Sequence, residues 1–71
     1  MYTIISFHTT TEALVFEQKA KDAKFAGRLI PLPRAIGAGC GICWRESANS
    51  TAAIENLIKT YDLKFDKIHQ V

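Results

Sequence analysis

Apolar residues along this chain come in two rhythms, short near-continuous runs and longer stretches at helical spacing. Tyr2 to Phe7 is dominated by β-branched and aromatic residues and reads as a strand. Its nearly continuous apolar character suits a central strand more than an edge. After His8 comes Thr9-Thr10-Thr11-Glu12, a capping box with Thr9 as N-cap and Glu12 as third helical residue. Ala13, Phe16, Ala20 and Ala23 then recur at helical spacing, with Leu14 and Val15 widening the apolar face. A helix is expected near residues 10–25, with Glu17 and Lys21 paired on its polar side. Gly27 should stop it or start the next turn. Arg28 to Leu32 is a second strand, placed at a sheet edge because Pro31 cannot donate to a ladder. Residues 33–41, PRAIGAGCG, form a loop, and Ile42 to Glu46 is a short third strand ending in polar residues. Ser47 to Thr51 is a polar link. Ile54, Leu57, Ile58 and Tyr61 mark a second amphipathic helix near residues 50–61, which Asp62 ends. Phe65 to His69 is the last strand.

The order β-α-β-β-α-β, with right-handed crossovers, predicts an α+β ferredoxin-like sandwich: four strands, with both helices on one face. Nothing in the chain is left to cover the other sheet face, which is therefore expected to be bare, either polar or a docking surface.

With 71 residues the chain makes one domain, spanning 1–71, with a thin stability margin. A 48% apolar and 23% charged composition argues against disorder. Net charge is +2, too weak to indicate nucleic acid, and the third strand lacks the aromatic pattern of an RNA-binding sheet. The N-terminal segment has neither the basic start of a signal peptide nor the length of a membrane span, so a cytoplasmic location is expected. In that compartment two cysteines are thiols rather than a structural disulfide.

Chemistry concentrates between Gly27 and Glu46. That stretch holds both prolines, all four glycines, both cysteines, the only tryptophan and all three arginines. Gly39 and Gly41 flank Cys40 and leave its backbone free to turn N–H groups inward. Arg34 and Arg45 bracket the loop as candidate stabilisers of a thiolate or another anion. His8 follows the first strand, where strand ends cluster, and is a candidate proton acceptor for a thiol or simply a polar loop residue. Trp44 alternates with Ile42 on one face and is assigned to core or interface.

Cys40 and Cys43 form C-x-x-C, open to three readings. A redox dithiol fits poorly with the pair running into a strand: three extended steps span about 10 Å, whereas a disulfide needs Cα atoms about 4.4–6.8 Å apart. A metal centre lacks ligands, since zinc normally takes four and His8 and His69 lie elsewhere in sequence. No metal or cofactor is therefore expected. The third reading has Cys43 as a small core residue.

The segment RLIPLPRAIGAGCGICWR resembles the central motif of the putative selenium/sulfur carrier protein-like family, a group of small bacterial domains. The likeness rests on Arg28-Leu29-Ile30-Pro31, Pro33-Arg34, Ile36, Gly39-Cys40-Gly41 and Arg45. Phe7-His8-Thr9-Thr10 and the first helix fit as well, so it covers nearly the whole chain. The resemblance implies that Cys40 is the cysteine that carries selenium or sulfur, between donor and acceptor proteins and without enzymatic turnover. It also makes Cys43 a departure, because a small residue such as alanine is usual there. The alternative is a small anion- or protein-binding module in which Cys40 is structural. A bare sheet face in so small a domain leaves room for a homodimer.

Overall fold

This computed structural model describes residues 1–34 and 41–71. They form β1 (Tyr2–Ser6), α1 (Thr10–Asp22), β2 (Arg28–Pro31), β3 (Ile42–Ser47), α2 (Thr51–Tyr61) and β4 (Lys67–Gln70). The polar link before α2 is a single 3-10 turn, Ala48–Ser50. The strands pair in the order β2-β3-β1-β4, every pair antiparallel. This is the expected ferredoxin-like α+β arrangement, with the apolar β1 at the centre and the proline-bearing β2 at an edge.

Register decides what each face carries. Ile5 pairs with Trp44, and Ile4 with Arg45, so these neighbours point to opposite sides. On one side Ile5, Phe7 and Trp44 meet Ala13, Phe16 and Ala20 of α1, Ile54 and Leu57 of α2, and Leu63. Phe16 is the hinge of this core, its ring 5.4 Å from Phe7 and 5.6 Å from Trp44, both tilted. Such pairs add about 0.5–1.5 kcal/mol beyond their buried area. Leu14 and Val15 do not widen the buried stripe, as the sequence pattern suggested; both are exposed, as is Ala23. The contact stripe of α1 is narrow because its buried members are mostly alanines, which let the helix sit close to the sheet.

Thr9 is the N-cap of α1: its backbone is extended and its Oγ1 accepts from the Glu12 N–H at 3.1 Å. The reciprocal bond shifts by one residue, because the Glu12 carboxylate accepts from the His8 N–H at 2.9 Å. At the other end the helix stops before Gly27. Lys24 takes the left-handed conformation (φ 64°), its N–H donates to the Lys21 carbonyl, and Phe25 N–H donates to Ala20. That is a Schellman termination with lysine where glycine is usual. Asp62 plays the corresponding part after α2, with φ 51° and Leu63 N–H donating to Ile58.

The second sheet face carries Tyr2, Ile4, Ser6, Arg28, Ile30, Cys43, Arg45, Lys67 and His69 by alternation. Its centre is not bare, contrary to expectation. Ile4 and Ser6 are each 1% exposed and Cys43 is 0% exposed. Ile4 is flanked by Arg45 on one side and His69 on the other, whose stems can shield an apolar neighbour. At one corner of the sheet Tyr2 and Val71 exchange two backbone hydrogen bonds, at 2.6 and 2.9 Å.

Candidate functional site

The loop that bears the candidate thiol springs from the ends of β2 and β3. Leu32 N–H donates to the Gly41 carbonyl at 2.9 Å, which ties the two ends of the loop together immediately beyond the sheet. Gly41 has φ +91°, a conformation that L side chains rarely adopt, so glycine is required there by the backbone itself. It is exposed, and a methyl group built on it would meet none of the described residues within 4 Å. Arg34 lies in a turn and is exposed. Gly39 and Cys40 fall outside the described residues.

Cys43 lies on β3, between Ile42 and Trp44 in sequence but on the opposite face from Trp44. Its Sγ approaches the Pro31 carbonyl at 4.0 Å. The reading of Cys43 as a small buried strand residue agrees with this placement.

Arg45 stands four residues beyond Gly41, about 13 Å further along an extended strand. Its guanidinium lies over the Tyr2 ring, 4.7 Å from the centroid. In register it faces Arg28 across the β2–β3 ladder. Arg45 therefore belongs to the end of β3 remote from Gly41, beside a second arginine to which sequence reasoning gave no role.

The two arginines line a cleft of about 240 Å³ together with Tyr2, Ala26, Gly27, Glu46 and Ser47. Glu46, read from sequence as part of a polar strand end, is 4% exposed. Its Oε1 accepts from Gly27 N–H and from Trp44 Nε1–H, each at 3.0 Å. A Cβ on Gly27 would collide with the Arg45 carbonyl oxygen and Glu46 Oε1, and would stand 2.7 Å from Trp44 Nε1. Gly27 thus serves close approach rather than helix termination. Its partner is nineteen residues away in sequence, and no local pattern signals the pairing.

His8 is 59% exposed at the side chain and stands between two carboxylates, Nδ1 at 3.2 Å from Glu12 and Nε2 at 3.3 Å from Asp66. Both ring nitrogens are thus engaged away from any thiol among the described residues. His69 buries Nε2, and among the described residues that atom has no hydrogen-bond partner. Among the described residues no group of three or more His, Cys, Asp or Glu side chains could hold a metal ion. No helix there is long and apolar enough to cross a membrane.

A model of the family described as putative Se/S carrier protein-like matches residues 2–70 of this sequence. The chain belongs to that family. The match spans every strand and both helices, so the Se/S carrier-like family is represented here by the whole ferredoxin-like unit. No curated protein and no solved structure matches the chain.

Proposed function

We propose that this Se/S carrier-like protein carries sulfur or selenium on Cys40, and that Arg34 and the flanking Gly39 and Gly41 make its thiolate accessible and reactive. Family membership over residues 2–70, a span that includes Cys40, is the observation that carries this reading. The exposed, left-handed Gly41 next to Cys40 in sequence supports it, since no described residue crowds that point against a bulky donor.

The chemistry is a balanced exchange. The Cys40 thiolate attacks the terminal sulfur of a donor persulfide. A new S–S bond forms, the donor's own S–S bond breaks, and the donor cysteine leaves as a thiolate that takes up a proton. No outside oxidant or reductant is consumed. Transfer of selenium from a perselenide donor follows the same course. An unperturbed thiol with pKa ~8.5 is only a few per cent ionised at neutral pH; a cation beside the thiolate raises that fraction, which is the part this reading assigns to Arg34. The partners are donor and acceptor proteins, and the role is that of a vehicle rather than an enzyme.

The test is intact-mass analysis after incubation with a persulfide-loaded cysteine desulfurase. Wild type should gain the mass of one sulfur atom, reversibly under thiol reductant, and Cys40→Ser should gain none. Folded wild type that gains no adduct would instead favour a binding module with a structural Cys40.

A further inference from the structure

We propose that the cleft between Arg28 and Arg45 binds a tetrahedral oxyanion of the phosphate type, at a site built without Arg34 or Gly41. Arg28 and Arg45 are placed at a cost in stability. Like charges directly opposite on adjacent strands repel, and Arg28 and Arg45 are register partners at the β2–β3 edge. Neither has a carboxylate within ion-pair distance; the ion pairs of the described residues involve His8, Lys21 and Lys64 instead. Glu46 also lines the cleft, but its Oε1 already accepts two hydrogen bonds and the residue is almost fully buried. Two guanidinium groups against one engaged carboxylate leave the cleft net positive.

The surroundings reinforce that sign. The charged side chains that alternation puts on this face of the four strands are Arg28, Arg45 and Lys67, with no Asp or Glu among them. The only acidic residue in the strands, Glu46, alternates to the helix side. Arg45 is half-buried and braced by the Tyr2 ring, which orients its fork before any ligand arrives. Ser47 Oγ accepts from Asn49 N–H at 3.4 Å, and its own proton remains able to donate.

Geometry favours a tetrahedral anion over a carboxylate. One bidentate guanidinium fork saturates the two oxygens of a carboxylate. Phosphate presents acceptors in several directions and can engage forks from two neighbouring strands, with the Ser47 hydroxyl as a further donor. The site does not depend on the carrier reading: none of the residues invoked for it is the sulfur carrier of that reading, so either can fail while the other stands.

The experiment is a titration of ¹⁵N-labelled full-length protein with sodium phosphate at constant ionic strength, followed by amide and arginine Nε shifts. Saturable shifts at Gly27, Arg28, Arg45 and Ser47 are expected. Sodium chloride should not reproduce them, acetate should bind more weakly, and Cys40→Ser should leave them unchanged. Arg28→Gln and Arg45→Gln should each weaken binding about tenfold, the loss expected for a charge-assisted hydrogen-bond pair. If Arg45→Gln does not fold, Arg45→Lys keeps the charge and the stem but removes the fork, and should still weaken binding. Non-saturating shifts, equal effects with chloride, acetate binding as tight as phosphate, or unchanged affinity in the arginine variants would each overturn the proposal.

Discussion

Replacing Gly27 by alanine forces a methyl group against three atoms that have little room to move. One is the Arg45 carbonyl oxygen, within a paired strand; the others are Glu46 Oε1 and Trp44 Nε1. Overpacking a close-packed site costs about 1–3 kcal/mol. If the methyl group also displaces the Glu46 carboxylate, the two bonds at 3.0 Å are lost, and each hydrogen bond to a charged group is worth about 1.5–3 kcal/mol. The expected loss is therefore about 1–3 kcal/mol if the carboxylate holds its place and about 4–9 kcal/mol if it is displaced. For 71 residues the whole stability is of order 4–11 kcal/mol, so this one methyl group should remove a large part of it. Urea unfolding followed by fluorescence suits the question, because Trp44 is the only tryptophan and lies inside the affected network. With a slope of about 1 kcal/mol per M, the midpoint should fall by about 1 M or more with the slope unchanged. Two companions separate sterics from hydrogen bonding. Glu46→Gln keeps an oxygen able to accept both bonds and should cost about 1 kcal/mol; Glu46→Ala strands two donors and should cost about 2–5 kcal/mol. A Gly27→Ala midpoint within about 0.5 M of wild type would refute the reasoning, since no small relaxation can move a paired strand carbonyl so cheaply.

The two thiols should differ in access. Cys43 is fully buried on β3, so iodoacetamide should label it slowly in the folded protein, whereas Cys40 should react fast, and peptide mass against time resolves the two sites. Faster labelling of Cys43 would contradict both its burial and the carrier assignment. Thr9→Ala removes the side chain that accepts from Glu12 N–H and should cost about 1 kcal/mol, measured by the same urea titration; no change would mean that the Glu12 bond to His8 N–H holds the helix start alone.

Much of the architecture was legible in the chain because local chemistry and global fold agree. The apolar run of β1 indicated a central strand, and Pro31 indicated an edge, and both are where the sheet puts them. Thr9 and Glu12 marked the start of α1 within one residue. What stayed hidden depends on contacts between distant parts of the chain. Glu46 looks like a solvated strand end until Gly27 and Trp44 are brought to its carboxylate. His8 looks like a loop residue until Asp66 arrives from the far end of the chain. Arg28 and Arg45 are unremarkable singly and become a pair only when β2 and β3 set their register. The helix stop at Lys24 was missed because lysine holds a backbone position that glycine normally signals. The resemblance named Cys40, Arg34 and the glycines as one motif; of these the described residues include Arg34 and Gly41, with Gly41 exposed beside the tied ends of the loop.

The paired corner formed by Tyr2 and Val71 has a mechanical consequence. Because β1 and β4 run antiparallel, these residues lie opposite each other at the same end of one ladder. Tension applied through residues 2 and 71 would not load all the β1–β4 hydrogen bonds together in shear. It would open the ladder like a zipper, starting at the Tyr2–Val71 pair and moving to Thr3 and Gln70, so the resisting force at any moment is that of a few bonds. The same protein pulled through residues 2 and 47, on the antiparallel β1–β3 pair, would also unzip from that end. A fusion that places cargo or a tether at both of these positions therefore strains the sheet at its weakest geometry. Attachment through the exposed surface of α1 leaves both ladders slack.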